Sequence, residues 1–244
     1  MNDLALEVKN LSFTYPDGTQ ALSGINFSVR DGERVGFIGG NGAGKSTLLL
    51  HLNGTLRSNG SVKIFGLEIN DKNIHCIRKR VGLIFQNPDD QLFMPTVFDD
   101  VSFGPVNMNL EKDEIIRRSR EALSVAGMEH NIKRSSHHLS FGEKKRVSFA
   151  TVLSMKPDII LLDEPTANLD PGGRRELIDF LKTIKTTKII ASHDLEMIYR
   201  LCGRTMLLNK GRIIADGETQ EMLIDKELLE SNALEAPLAL YLSG

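Results

Sequence analysis

Cysteine is scarce in this chain, and neither a long apolar run nor an excess of one charge is present. The 244 residues include two cysteines, Cys76 and Cys202. They lie far apart and match no metal-binding or redox spacing, which excludes a disulfide framework and indicates a reducing compartment. The 30 lysines and arginines against 32 aspartates and glutamates give a net charge of −2, which argues against a disordered chain or a strongly basic nucleic-acid binder.

Membrane-spanning and secretory segments are also missing from the sequence. The apolar runs, such as Ile159-Ile160-Leu161-Leu162, have the length of buried strands and fall short of the roughly 18 residues that a membrane-spanning helix needs. The first residues lack the basic and apolar regions of a secretory signal. We therefore expect a cytosolic protein that reaches a membrane only through a partner.

Hydrophobic periodicity predicts an α/β domain that begins with an antiparallel β-layer. Apolar and polar residues alternate at the start of the chain and are interrupted at 16–18 by Pro-Asp-Gly, which is typical of strands joined by a turn. A fully apolar strand over 35–38, a glycine-rich loop and an apolar helix over 47–52 then form the strand-loop-helix unit of an α/β core. A second hairpin is predicted over 59–66.

The middle of the chain, from about 88 to 155, is predicted to be a helical insert. Apolar and small residues recur there at spacings of three and four, with arginines on the other face. They are Ile115, Ile116, Ser119, Ala122, Leu123 and Ala126. Short apolar strands then restore the α/β pattern, at 159–162, 188–191 and 204–208, with a helix over 174–184.

The leucine-rich tail from 219 to 244 admits two interpretations. Its leucines either cover the core of the same chain or contact another subunit. They are Leu223, Leu228, Leu229, Leu234, Leu238 and Leu240. The 244 residues are therefore interpreted as one domain with a helical insert and a packing tail.

A glycine-rich motif follows the predicted strand at 35–38. Residues 39–46 fit the pattern G-x-x-x-x-G-K-[ST] between a predicted strand and a predicted helix, which is the context that this phosphate-binding loop requires. Its glycines allow backbone N–H groups to surround phosphates, its lysine reaches the terminal phosphates, and its serine offers a hydroxyl to Mg²⁺. The predicted ATP-binding residues of this segment are Gly39, Gly40, Asn41, Gly42, Ala43, Gly44, Lys45, Ser46 and Thr47.

A pair of carboxylates narrows the choice among kinases, GTPases, helicases and transporters, which share such a loop. Asp163 and Glu164 follow the apolar strand at 159–162. Asp163 is placed to hold Mg²⁺ through water, and Glu164 to orient and polarise an attacking water. Because adjacent carboxylates are costly without a balancing cation, the pair predicts Mg²⁺-dependent nucleotide hydrolysis.

A third motif, Leu139-Ser140-Phe141-Gly142-Glu143, precedes a helical run between these two. By itself it is typical of a helix N-cap. With the other motifs in this order, from Leu4 to about Gly217, the chain resembles the nucleotide-binding subunit of ATP-binding-cassette (ABC) proteins. The resemblance implies a P-loop NTPase cassette with an antiparallel β subdomain, a RecA-like core and a helical signature subdomain at about 88–155.

The resemblance also implies roles for single residues. Tyr15 matches the aromatic residue that stacks on adenine, and Gln86 matches the Q-loop glutamine near Mg²⁺ and the water. Asp170 belongs to the D-loop, and His193 matches the switch histidine that contacts the γ-phosphate. The implied catalytic residues are Glu164, His193 and Gln86, and the implied Mg²⁺ ligands are Ser46, Gln86 and Asp163.

A second ATPase chain is implied as a partner, identical or related to this one. In ABC proteins the phosphate loop and the signature belong to different subunits, so Ser140 and the amide of Gly142 would complete the partner's site. Phe141 and Glu143 stand where the family usually has glycine and glutamine, and Gly40 where many members have proline. We expect Glu143 to place a negative charge near the polyphosphate and so to weaken dimer closure.

The segment from Gln86 to Gly104 resembles the energy-coupling-factor (ECF) branch of importers. The resemblance implies that this segment receives the coupling helices of a transmembrane protein and that a separate membrane component binds the substrate. Four carboxylates are expected to meet a basic helix end, namely Asp89, Asp90, Asp99 and Asp100. The signature flank, Lys144-Lys145-Arg146, and the stretch over 152–157 resemble the cobalt and nickel members most, although vitamin-type members read similarly. His137-His138 is not expected to bind metal.

A soluble ABC ATPase acting on DNA or the ribosome is the rival interpretation. Long heptad segments and a second set of motifs, which mark such proteins, are missing from the sequence. The basic clusters are short, so no nucleic-acid partner is expected. A scaffold without activity would require a defective site, whereas Lys45, Asp163 and Glu164 are all present. We therefore expect an active ATPase, and the resemblance to ECF importers implies that it acts at the cytoplasmic face of the membrane.

Overall fold

The alternating and fully apolar segments form two β-sheets in the computed structural model, which describes residues 4–237. The strands are β1 (Leu4–Thr14), β2 (Gln20–Arg30), β3 (Arg34–Ile38), β4 (Asn59–Ile64), β5 (Leu67–Glu68), β6 (Val81–Ile84), β7 (Ile159–Asp163), β8 (Thr187–Ala191), β9 (Arg204–Asn209) and β10 (Arg212–Glu218). The helices are α1 (Lys45–Leu52), α2 (Ile74–Arg80), α3 (Val97–Asn107), α4 (Lys112–Val125), α5 (Phe141–Leu153), α6 (Pro171–Thr183), α7 (Leu195–Leu201), α8 (Thr219–Ile224) and α9 (Lys226–Glu230).

The smaller sheet is the predicted antiparallel layer. Its strand order is β2-β1-β4-β5, and every pairing is antiparallel. The turn between the first two strands lies at the Pro-Asp-Gly segment, where the N–H of Gly18 donates to the carbonyl of Tyr15 at 3.0 Å. The predicted second hairpin corresponds to β4 and β5.

The larger sheet positions the predicted motifs. Its order is β10-β9-β3-β8-β7-β6, with parallel pairing from β9 to β6 and one antiparallel pair at the β10 edge. The carboxyl ends of parallel strands share one edge of a sheet, and ligands bind there. Four neighbouring strands therefore bring together the residues that follow them, namely those after β3, β8, β7 and β6.

Helices α3, α4 and α5 pack around a small apolar core inside the segment predicted as a helical insert. On α4, Ala122 and Leu123 are buried, whereas Arg117 pairs with Glu114 and Glu121 on the exposed face. This division is the amphipathic pattern that the spacing predicts. The core of the group also includes Leu92, Val101, Val147 and Ala150.

The tail packs against its own chain. Leu223, Leu229 and Leu234 are buried in the core formed by α5, α6, α7 and the larger sheet. The side chain of Asn209, at the end of β9, donates to Asn232 at 2.6 Å. These contacts favour the core-covering interpretation, while Leu238 and Leu240 lie outside the described residues.

Periodicity did not predict strand β6 or helices α2 and α7. The strand has only four residues and includes Gly82, at which an added Cβ would lie 2.3 Å from Val152 of α5. Such a strand lacks the run of branched residues that marks a strand in sequence. Its place at the sheet edge is set by packing, and it leads directly to Gln86.

Candidate nucleotide-binding and hydrolysis site

The loop between β3 and α1 surrounds the ammonium group of its own lysine. Lys45 Nζ donates to the carbonyls of Gly39 at 2.7 Å and Gly40 at 3.1 Å. The same Nζ lies 3.7 Å from Glu164 Oε1, and the lysine side chain is 8% exposed. A buried ammonium group requires such partners, and phosphate oxygens would be stronger ones.

Gly44, which precedes α1, has a backbone that only glycine adopts without strain. Its φ is +105°, and an added Cβ would lie 2.5 Å from the carbonyl oxygen of Ala21 on β2. Gly40 has no neighbouring atom within 4 Å of such a Cβ. The two glycines therefore serve as a matched pair for testing the loop.

We expect Gly44→Ala to lower the melting temperature and Gly40→Ala to leave it nearly unchanged. Left-handed backbone strain costs about 1–3 kcal/mol, and the clash adds to it. Each kcal/mol shifts the midpoint by roughly 2–4 °C in a chain of this size, so we expect a decrease of about 5–10 °C. Calorimetry of both variants is the measurement, and equal midpoints would contradict this packing.

Asp163 ends β7 beside the first turn of α1. Its carboxylate is buried, and its Oδ1 has no hydrogen-bond partner. Burial raises the pKa of Asp163, while the Ser46 hydroxyl beside it acts in the opposite direction. An unpartnered buried carboxylate oxygen next to a hydroxyl fits a hard divalent cation.

The donor set around Asp163 also fits Mg²⁺ in particular. Within residues 4–237, no group of three or more His, Cys, Asp or Glu side chains is arranged to hold a metal. Mg²⁺ is commonly bound through one or two protein oxygens together with water and substrate phosphate. The pair formed by Asp163 and Ser46 meets that requirement.

Glu164 lies in a strained backbone conformation and is held by the loop after β8. Its φ is +41°, a conformation that costs a non-glycine residue about 1–3 kcal/mol and is concentrated at functional sites. Its carboxylate accepts from Ser192 Oγ at 2.8 Å and from the His193 N–H at 3.1 Å, and it lies 2.9 Å from His193 Nδ1. Glu164 and His193, which are far apart in sequence, therefore form one hydrogen-bonded unit.

An ion pair that the motifs did not predict supports this unit. Asp194 accepts from Arg174 Nε at 2.6 Å, from Arg174 Nη2 at 2.5 Å and from Thr166 Oγ1 at 2.9 Å. Burial acts to raise the pKa of Asp194, but the hydrogen bonds from Arg174, Met197 and Thr166 outweigh it and lower the pKa. The loop that carries His193 is therefore fixed to α6.

A cavity of about 310 Å³ joins these elements. Tyr15 lies at its edge, where its hydroxyl is 3.0 Å from Thr47 Oγ1 and its ring packs edge-on against Phe13. The predicted residues that line the cavity are Tyr15, Asn41, Gly42, Ala43, Gly44, Lys45, Ser46, Thr47, Gln86, Glu164 and His193. Thr19, Gln20 and Ala21 line it as well; only their position just after Tyr15 could have indicated them.

The signature residues lie away from this cavity. Ser140, Gly142 and Glu143 instead line a second cavity of about 210 Å³ between α5 and α6. Ser140 caps α5 by accepting from the Glu143 N–H at 3.3 Å. Asp170 likewise caps α6 by accepting from the Gly173 N–H at 2.7 Å.

The carboxylate of Glu143 is engaged within its own chain. It accepts from the Ser140 N–H and from Ser140 Oγ, each at 2.8 Å, and from Asn131 Nδ2 at 3.3 Å. The Ser140 backbone and hydroxyl hydrogen bonds lower the pKa of Glu143, so the group is a stable anion. Its charge is directed at the first turn of α5, beside the Ser140 hydroxyl, and its expected repulsion of a polyphosphate stays a prediction.

Comparison with known proteins identifies the family. The ABC transporter family model matches residues 22–167. The chain is also 50% identical over 244 residues to the energy-coupling factor transporter ATP-binding protein EcfA of Carboxydothermus hydrogenoformans, an alignment that covers 98% of this chain and 90% of that protein. The chain is an ABC transporter ATPase.

Solved structures support the fold of this ABC transporter ATPase. The structure of cbiO1 from Clostridium perfringens, described as part of the ABC transporter complex cbiONQ, matches with a TM-score of 0.82 and 42% identity, covering 99% of both chains. The dimeric post-hydrolysis structure of the ATP-binding cassette MJ0796 with ADP and Pi matches with a TM-score of 0.79 and 26% identity, covering 88% of this chain and 98% of that one. These matches confirm the predicted cassette fold and ATPase class.

The helices of this ATPase are short. Between residues 4 and 237, none combines the length and the apolar content that crossing a bilayer requires.

Proposed function

We propose that this ATPase energises an ECF-type importer from the cytoplasmic face of the membrane, as a peripheral subunit. The observation that carries the proposal is the separation of two half-sites: the nucleotide cavity of this chain lacks the signature residues, which line a different surface. A second ATPase chain, identical or related, supplies its signature to this cavity. ATP binding closes the dimer and hydrolysis opens it, and this cycle moves the membrane partner.

Several residues of the cavity have a role in binding ATP. Tyr15 stacks on the adenine, and the N–H groups of the loop from 39 to 47 surround the phosphates. Lys45 Nζ turns from its present carbonyl partners to the β- and γ-phosphates. Ser46, Asp163 and Gln86 would hold Mg²⁺, whose charge offsets that of the phosphates when it is bound.

Hydrolysis depends on the unit formed by Glu164 and His193. Glu164 accepts a proton from, or orients, the water that attacks the γ-phosphorus, and Ser192 keeps its carboxylate in place. His193 is 61% exposed at its side chain and reaches toward the cavity, where it contacts the γ-phosphate. Ser140 and the N–H of Gly142 from the second chain donate to the same phosphate, and Asp170 lies between the two chains.

An exposed apolar pair marks the surface proposed for the coupling helix. Phe93 is 61% and Phe103 45% exposed, and their rings pack edge-on with centroids 5.1 Å apart. Val106 on the same helix as Phe103 is also exposed. Exposed aromatic residues of this kind are typical anchors for a partner helix.

Fewer carboxylates of this surface are available to a partner than the sequence predicts. Asp100 is buried and accepts from the N–H groups of Phe93 and Met94, both at 2.9 Å. Asp99 accepts from Thr96 Oγ1 at 2.6 Å, and Asp89 from Lys144 Nζ at 2.7 Å. Asp90 is exposed and has no side-chain partner among residues 4–237, so it is the carboxylate we assign to the basic helix end.

We expect Asp90→Lys to weaken recovery of the membrane partner about tenfold, because a like charge would face the basic helix end. The loss should be larger at about 0.05 M salt than at about 0.3 M salt, because screening weakens the repulsion. The measurement is co-purification from detergent-solubilised membranes. Asp179→Lys, an exposed site on α6, is the matched control; equal recovery of the partner with both variants would contradict the assignment.

We propose cobalt or nickel as the imported solute, bound by a separate membrane component. The signature flank, which resembles the cobalt and nickel members most, supports this choice. Affinity purification of the ATPase from native membranes, with and without ATP, followed by mass spectrometry, tests it. We expect to recover an ECF-type transmembrane protein and a substrate-binding component that binds metal. Recovery of a vitamin-binding component would replace metal by a vitamin as the imported solute. Recovery of DNA- or ribosome-associated proteins, without any membrane component, would overturn the transport proposal.

A further inference from the structure

Lys145 is a buried lysine of the signature flank to which the sequence assigns no role in the site. It lies on α5 behind the signature, and its side chain is almost fully buried, with 1% of the residue exposed. Its Nζ donates to the carbonyl of Gln86 at 2.5 Å and more weakly to that of Phe85 at 3.5 Å. The ammonium group is therefore bonded to the backbone of the segment that carries Gln86.

Burying this charge is costly, and a carboxylate does not offset it directly. Burial lowers the pKa of Lys145 to about 8, and the more distant Asp163 and Glu164 act in the opposite direction. The ion pairs of Glu164 and Asp89 are formed with Lys45 and Lys144 rather than with Lys145. Besides these carbonyls, its Nζ faces the ring of Phe141 at 5.8 Å from the centroid, a weak partner for a buried charge. A lysine buried in this way needs a reason other than stability.

A second side chain connects the segment that carries Gln86 to α5. Here the donor lies on the segment and the acceptors lie on the helix. Gln91 Nε2 donates to the Ser148 carbonyl at 2.8 Å and to Thr151 Oγ1 at 2.7 Å. Gln91 Oε1 accepts from the Phe85 N–H at 3.2 Å. The segment from 85 to 91, which we call the Q segment, is thus bonded to α5 at both of its ends.

We infer that Lys145 is a positioning residue that makes Gln86 move with the signature helix of its own chain. The inference rests on the role proposed for Gln86. When the partner's ATP engages Ser140 at the start of α5, a displacement of that helix carries the Q segment with it. Gln86 then reaches the nucleotide of its own chain only when the opposite site is also engaged.

The test compares Lys145→Met, which removes the donor at similar volume, with Lys145→Arg, which keeps donors at that position. We expect Lys145→Met to lower kcat for ATP hydrolysis by about tenfold or more, because small misplacements of catalytic groups are costly. KM and the Kd for ATP should stay within about threefold, since binding groups are untouched. Lys145→Arg should recover most of kcat, and Lys182→Met on exposed α6 should behave as the wild type.

A fluorescence measurement separates positioning from general structural damage. The chain contains no tryptophan, so Phe93→Trp places a single reporter beside the Q segment. We expect ATP to change its emission when Lys145 is present and to change it less in the Lys145→Met background, where Gln91 still binds the segment to α5. Lys145→Gln, a neutral donor of shorter reach, gives the same comparison with an intermediate kcat if Lys145→Met does not fold.

Gln86→Ala distinguishes the two possible failures. A lowered kcat for Gln86→Ala together with a wild-type kcat and an intact ATP-induced emission change for Lys145→Met would overturn the inference and leave the proposed function standing. An unchanged kcat for Gln86→Ala would overturn the proposed role of Gln86, and the inference with it. Equal loss of kcat and ATP affinity in Lys145→Met would also overturn a positioning role.

Discussion

Glu164→Gln is expected to lower ATP turnover by at least about a hundredfold, because it removes the group that accepts a proton from the attacking water. ATP binding should be preserved. Glutamine keeps the size of the side chain, and its amide oxygen still accepts from Ser192 Oγ and the His193 N–H, which now donate to Glu164 Oε2 at 2.8 and 3.2 Å. A protein that binds ATP without hydrolysing it should accumulate as the closed dimer.

Steady-state phosphate release and size-exclusion chromatography with ATP measure both parts of this prediction. Glu221→Gln, an exposed position on α8, makes the same chemical change away from the cavity and should leave turnover unchanged. Wild-type turnover in Glu164→Gln would refute the catalytic role. Lost turnover without an ATP-dependent dimer would instead refute the proposed closure.

Lys45→Ala is expected to weaken ATP binding itself by roughly tenfold to a hundredfold, since a hydrogen bond to a charged group contributes about 1.5–3 kcal/mol and each 1.4 kcal/mol is a factor of ten. The lysine faces the phosphates in both the ground state and the transition state, so its loss affects binding as well as turnover. Its Nζ donates to the carbonyls of Gly39 and Gly40, and it exchanges these partners for phosphate oxygens when ATP binds.

Titration calorimetry with ATP is the measurement for Lys45→Ala, and Lys182→Ala on α6 is the control. An unchanged affinity would count against the assignment of the phosphate-binding loop. Calorimetric unfolding of the variant checks the alternative that the loop has lost its structure, because the carbonyls of Gly39 and Gly40 then lack their buried donor. A normal midpoint with weak binding would support the proposed role.

The sequence determined the parts of this protein that depend on local spacing. The pattern over 39–46 specifies a tight loop between a strand and a helix, because glycine positions and the following lysine act within a few residues of one another. The apolar run before Asp163 specifies a buried strand for the same reason, and helix α4 follows from its own periodicity. These features were sufficient to predict an α/β domain that hydrolyses a nucleotide, whereas the cassette fold was implied by the resemblance of the ordered motifs to ABC proteins.

Only the tertiary structure decided which charges are free and which are engaged. Asp90 and Asp100 lie in the same acidic stretch of sequence, yet Asp90 is exposed, whereas Asp100 is buried and accepts from the Phe93 N–H. Lys144 and Lys145 are adjacent, yet one pairs with Asp89 at the surface and the other binds the backbone of Gln86 inside. Partners this far apart along the chain meet only after the sheets and helices have packed, so no local pattern of residues records them.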